Sequence, residues 1–282
     1  MVTGTSDLSR VFARQIAERK IELPPMPGTA SEVMALCQSD STDAAKVSAV
    51  IHRDQTIASN VLRVANSAAY AGQVACASLQ QAVSRLGMQL ITEIAMAVSV
   101  RGRMFANKAC AELLGQLWKH SILTGFYTKE IARVRRRNVE IAFLCGLLHD
   151  VGKAVLVNNV DKALGKNELG LPMHELLDAL EQQHIPAGAL LAKEWKLPDQ
   201  VAEAITCHHD TAAAKNFADM AMTVHLADVL AYHVLPSILA VPLTEEQLRQ
   251  HPVLVGLNLY PDQLDALLKM KERAIQVAEG MA

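Results

Sequence analysis

Apolar residues return at the three- and four-residue steps of a helix in one segment after another. Leu8, Phe12 and Ile16 predict a polar amphipathic helix over residues 5–20, an N-terminal brace. The stretch from Leu23 to Pro27 cannot be helical inside, because each proline removes a donor and biases its predecessor to extended geometry. Residues 29–38 follow as a helix with Val33, Leu36 and Cys37 on one face, and residues 39–43 supply turn chemistry. Val47, Val50 and Ile51 mark the next helix face; Asp54 caps another that carries Ile57, Val61 and Val64. Leu79, Val83 and Leu86 lead to Gly87, where a helix should stop, and a nearly all-apolar helix restarts over 88–104. A subdomain boundary is expected near 106–112, dividing a helical unit over 21–110 from one over 111–235, with a tail over 236–282.

The second unit opens on a long helix from Ala111 to Arg135, with Leu113, Leu117, His120 and Thr124 along one buried stripe. Asn138 caps the helix that runs into His149 and Asp150, and Gly152 suits a tight turn. Residues 162–171 read as a polar loop at the rim of a cleft. A short helix follows Pro172; then come His184, a helix over 187–195, another from Pro198 to His208 and His209, and an apolar helix through Asp228. Proline breaks the tail near residues 241 and 251, and residues 262–279 form a last amphipathic helix.

Composition points the same way. Aromatic residues make up 4% of the 282 positions and hydrophobic residues 51%, so the expectation is an all-α protein with an ample core. The net charge is −2, so no global field recruits nucleic acid or an acidic membrane, and few aromatic rings are on hand to stack bases. The basic run from Arg133 to Arg137 reads as a solvated helix end. The five cysteines, Cys37, Cys76, Cys110, Cys145 and Cys207, have no paired spacing, which fits small core residues in a reducing cytoplasm. The N-terminus has no basic segment followed by an apolar one, and no apolar run of roughly 18 to 20 residues is expected to span a membrane.

The chemistry gathers at residues 141–153. Eight uncharged residues run into His149 and Asp150, placing an imidazole and a carboxylate at the end of a buried helix. A buried carboxylate needs a partner, and imidazole with carboxylate suits a divalent ion of intermediate hardness. Lys153 brings a cation close to the pair, as phosphate chemistry requires, or complements a helix end.

Several motifs carry a family resemblance. Leu23 to Pro27, the run from Val50 to Asp54, Asn60 to Ser67, Gln80 to Gly87, Gly146 to Lys153 and Glu194 to Asp199 together resemble the HDOD family (HD-related output domain), from about residue 21 to 235. Gln55 departs from the proline usual after that aspartate, which touches a helix start only. The resemblance implies an N-terminal helical bundle packed on a C-terminal HD-type bundle. It also implies a metal site at His120, His149, Asp150 and Asp228, with His184, His208 and His209 as a second set that Asp150 bridges. Each member falls on a different predicted helix or at its end, as a site in a bundle core requires. His52, His174, His225, His233 and His251 are expected to be ordinary surface or core histidines.

One or two divalent transition ions (Fe, Mn, Zn or Ni) would then assist hydrolysis of a nucleotide or other phosphate ester, with Asp150 and Lys153 in catalytic roles. The alternative is a non-catalytic signal-transduction module, with a protein partner, in which the ion is structural or ligand-sensing. The residues after His209 lack the Gly-Tyr-Pro sequence of the HD-GYP phosphodiesterases, so specificity for cyclic dinucleotides is not supported. Expected partners are a small phosphate-containing molecule and a signalling protein, with neither membrane nor nucleic acid.

Overall fold

Helices built on these apolar stripes make up the described part of the chain, which in the computed structural model comprises residues 7–37, 49–51, 53–107, 110–164 and 172–281. The turn expected at 39–43, Val47, His52 and the 165–171 part of the expected loop lie outside the described residues, as do the side chains of Val33, Leu36 and Cys37. Among the described residues the only β feature is an isolated bridge between Ser237 and Ala240.

The expected brace is α1 (Asp7–Ala17), and the unit expected over 21–110 contains α2 (Gly28–Cys37), α3 (Gln55–Ala65) and α4 (Leu79–Met104). The cap expected at Asp54 forms: its carboxylate accepts from the Thr56 and Ile57 amides at 2.9 and 3.2 Å. The break expected at Gly87 also forms, with φ 76° inside α4, a left-handed conformation that glycine takes without strain. The brace α1 packs on the second unit rather than the first. Its Ser9 hydroxyl donates to Gln182 Oε1 at 2.8 Å and accepts from Gln183 Nε2 at 3.0 Å.

The second unit contains α5 (Ala111–Val134), α6 (Glu140–Leu148), α7 (Val151–Leu164), α8 (Met173–Glu194), α9 (Asp199–Cys207) and α10 (Ala218–Val234). Four details differ from expectation. Residues 162–164 end α7 instead of opening a loop, and the cap of α6 falls at Val139, one residue after Asn138. The two helices expected between Pro172 and Trp195 are one, with Pro186 inside. A proline in that place removes one backbone hydrogen bond, but Ala179, Leu180, Ala187 and Leu191 are buried on either side of it, and packing holds the helix through the defect. Gly152 sits inside α7, not in a turn. A Cβ there would lie 1.9 Å from the His184 carbonyl oxygen and 2.7 Å from the Gly188 nitrogen, so α7 and α8 cross backbone to backbone where only hydrogen fits.

The tail forms α11 (Glu245–Arg249), α12 (Val253–Gly256), α13 (Pro261–Leu268) and α14 (Lys271–Met281), so the single last helix expected over 262–279 is two. Arg135 fastens the tail: it pairs with Asp219 through two bonds of 2.7 and 2.8 Å and donates to the Leu257 carbonyl at 2.8 Å. Arg133 pairs with Glu130, so much of the basic run is neutralised locally. Both tryptophans anchor as expected. The Trp118 indole donates to the Met281 carbonyl at 3.1 Å and that of Trp195 to the Pro24 carbonyl at 2.8 Å.

One continuous apolar core runs through both units. The expectation that no apolar run is long enough to cross a membrane needs correction, since Leu79–Met104 and Ile141–Leu164 meet that test by length and composition. The second of these windows is 89% buried by the helices around it. The four cysteines whose side chains are described, Cys76, Cys110, Cys145 and Cys207, are free thiols.

Candidate metal centre

The turn between α6 and α7 delivers His149 and Asp150 into the middle of the second bundle, where both are buried. Four other elements point at the same place. α5 supplies His120 from its buried stripe, α8 supplies His184, the end of α9 supplies His208 and His209, and α10 supplies Asp228. Adjacent residues on a helix diverge by about 100°, and His208 and His209 meet at a ring separation of 4.2 Å because α9 stops at Cys207, just before them.

The side chains form two sets around Asp150. On one side His120 Nε2 lies 2.9 Å from Asp228 Oδ1 and 3.9 Å from Asp150 Oδ2, and His149 Nε2 lies 3.5 Å from Asp150 Oδ2 and 3.6 Å from Asp228 Oδ1. On the other, His184 and His208 reach Asp150 Oδ1 at 3.4 and 3.6 Å. Asp150 with His184, His208 and His209 offers ligand atoms within 4.8 Å of one another, and so does Asp150 with His120 and His149. The seven expected ligands therefore converge, and each oxygen of Asp150 faces a different set.

Three rings are oriented from behind. Nδ1–H of His149 donates to the Gly146 carbonyl at 2.7 Å, that of His184 to the Glu181 carbonyl at 2.8 Å, and that of His208 to the Ile205 carbonyl at 3.0 Å. A carbonyl only accepts, so these contacts put a proton on Nδ1, and a ring that is neutral then turns its Nε2 lone pair inward. His184 Nε2, His208 Nε2, Asp150 Oδ1 and Asp228 Oδ1 are buried without a hydrogen-bond partner. A buried polar atom left unpaired costs free energy, and three of them, His184 Nε2, His208 Nε2 and Asp150 Oδ1, converge on one side of Asp150 in a set that fits a divalent cation.

The electrostatics favour ionised carboxylates and mostly neutral rings. Burial alone would raise the Asp150 pKa, but Lys153 and the surrounding imidazoles outweigh it and hold the carboxyl well below its ordinary value. Asp228 is depressed in the same way, burial being overcome by His120 and His149. Burial lowers His120 and His184, and it brings His209 down to about 4. His149 goes the other way: burial opposes its protonation, but Asp150, Asp228 and the Gly146 carbonyl prevail.

Lys153 is not a mobile cation, nor does it stand at a helix C-terminus. It lies buried in the first turn of α7, with Nζ 2.8 Å from Asp150 Oδ2 and 3.1 Å from Glu181 Oε2, and these anions hold its pKa up against burial. Glu181 also approaches His209 Nε2 at 3.5 Å. The sequence pattern does not single out Glu181 or Tyr232, whose ring stacks on His120 at 4.1 Å. Helical spacing holds the clue to both, since Glu181 precedes His184 by three positions and Tyr232 follows Asp228 by four. Of the histidines expected to be ordinary, His225 stands outside the cluster and its Nδ1–H donates to the His208 carbonyl at 2.8 Å, steadying the backbone of one ring.

Comparison with known proteins adds the family. The profile of the HDOD domain matches residues 23–211. An uncharacterised protein of Treponema pallidum (strain Nichols) is 26% identical over 228 residues, which cover 77% of this chain and 44% of that protein. Ribonuclease Y of Mycoplasma genitalium is 27% identical over 129 residues, 45% of this chain and 22% of the ribonuclease. The chain thus spans less than half the length of these curated relatives. Among solved structures, an HDOD domain protein of unknown function from Geobacter sulfurreducens superposes with a TM-score of 0.73 at 21% identity, covering 97% of both chains. A Shewanella amazonensis SB2B protein, provisionally named a metal-dependent phosphohydrolase, gives 0.71 at 20% identity over 96% of this chain and 98% of its own. These structural likenesses establish the all-helical fold.

Proposed function

The chain belongs to the HDOD family, and from that premise we propose that it is a signalling-type HDOD protein that retains a working HD metal site and hydrolyses a nucleotide or other phosphate ester. One observation carries the reading: His184 Nε2, His208 Nε2 and Asp150 Oδ1, buried without partners and with both rings held from behind, converge on one side of Asp150, and His120, His149 and Asp228 gather on the other. Two of the similar proteins, one named a ribonuclease and one provisionally named a phosphohydrolase, carry names within phosphate-ester chemistry.

In this reading His120, His149, Asp150 and Asp228 hold one divalent ion, and Asp150, His184, His208 and His209 hold a second. When bound, such ions supply Lewis-acid polarisation of a phosphoryl group and acidify water. The residues of the chain do the rest. Asp150 offers one oxygen to each set, the backbone carbonyls behind the imidazoles fix the rings, and Lys153 provides a fixed positive charge to offset that of a phosphate.

The test combines metal analysis of protein purified without chelator, a phosphodiesterase and nucleotidase panel, and the variant Asp150→Asn. Asparagine leaves Lys153 an oxygen to bond, whereas alanine would strand a buried ammonium. The wild type should retain metal and turn over at least one phosphate ester. At a hundredfold excess of ion over Kd it should gain about 2.7 kcal/mol of stability. Asp150→Asn should lose turnover and most of that gain while staying folded. A wild type that neither retains metal nor is stabilised by it would refute the reading; metal binding with stabilisation and no turnover would instead assign a structural or ligand-sensing ion.

A further inference from the structure

A cleft of about 480 Å³ opens beside the His120 end of the cluster. Gln116, Lys119 and His120 line one wall, at the three- and four-residue spacing that puts them on one face of α5. The facing wall is the segment just after α10, with Leu235, Ser237 and Ile238. That segment is shaped by its own bonds: the Leu239 amide donates to Ser237 Oγ at 3.2 Å, and Ser237 bridges to Ala240. Ile238 is consequently presented at the rim, 51% exposed, an apolar side chain with no core to fill. Tyr232, in the last turn of α10, stands outside that lining. Its ring lies on His120 with planes 22° apart, and its hydroxyl is buried without a hydrogen-bond partner.

We propose that this cleft seats the body of a small phosphorylated ligand with its phosphate directed to the His120 end of the cluster, an inference that rests on the metal-site reading above. The lining has one ammonium, Lys119, and no carboxylate, which suits an anionic group and excludes recognition of a cationic one. Its apolar face at Leu235 and Ile238 suits an uncharged, partly apolar body, and its volume falls in the range of roughly 300–1,000 Å³ typical of small-molecule sites.

Two phosphonates of equal charge test this without turnover, since their carbon–phosphorus bond is not a hydrolysable ester. Methylphosphonate and phenylphosphonate are titrated calorimetrically into the Mn²⁺-loaded full chain. Phenylphosphonate should bind about tenfold tighter, equivalent to about 1.4 kcal/mol. Ile238→Ser, at an exposed position, should reduce that ratio severalfold and leave methylphosphonate affinity unchanged. Lys119→Gln should weaken both ligands by the same factor. Equal affinity for the two phosphonates in the wild type, or a ratio that Ile238→Ser does not move, would overturn the cleft while the metal site stands. Failure to bind Mn²⁺ would overturn the metal-site reading and the cleft with it, whereas Mn²⁺ binding with no affinity for either phosphonate would overturn the cleft alone.

Discussion

Gly152 shows how much one missing carbon can organise. The main chains of α7 and α8 touch there, which brings His184 within reach of the Asp150 carboxylate two residues before the contact. Gly152→Ala forces a carbon against a backbone carbonyl that has no rotamer to escape through, so it should cost about 3 kcal/mol in urea unfolding, at the upper end of overpacking penalties. Gly188→Ala should cost less, because its closest neighbour is the Ile205 methyl at 2.7 Å, part of a side chain that can shift. From the sequence Gly152 is expected in a turn, since a glycine that frees the backbone and a glycine that admits another backbone look alike in one dimension. His149 and Asp150 were legible for the opposite reason, as charged chemistry at the end of an apolar run is hard to account for in any other way. Tyr232 stayed hidden because its hydroxyl becomes anomalous only once its surroundings show that nothing pairs with it.

At the level of elements, helix starts and stops governed by local chemistry were readable, such as the Asp54 cap and the break at Gly87. Those decided by packing were not. Pro186 normally ends a helix, yet α8 continues through it because the apolar residues on both sides share one buried face. The attachment of the tail is also invisible in the sequence, because Arg135 and Asp219 belong to a long basic run and an unremarkable helix start. The hydrogen bonds from Arg135 hold the Asp219 carboxyl below its ordinary value near 3.8. For an acid with a depressed folded pKa, the stabilisation is fully present above the unfolded value and disappears as pH falls through the folded one. Asp219→Asn should therefore be less stable than wild type at neutral pH, by about 1 kcal/mol or less since the carboxylate is partly exposed and screened. That gap should close as denaturation is followed below pH 3.8.

For the molecule as a whole, the all-α class followed from helical spacing and composition and the set of converging side chains from the family resemblance, while the way the parts of the chain lock together did not. The brace α1 belongs by contact to α8 and α7 and not to the helices that follow it directly, and the proline-rich segment after it is held from the same side. Asn159 on α7 takes the Glu22 amide on its Oδ1 at 2.9 Å and returns Nδ2 to the Glu22 carbonyl at 3.0 Å, a two-point grip on a residue outside any helix. Residue 22 thereby becomes a reporter on the helix that begins beside Asp150. In hydrogen–deuterium exchange its amide should be protected like those of α7 despite lying in irregular chain, and Asn159→Ala should release that protection at Glu22 selectively.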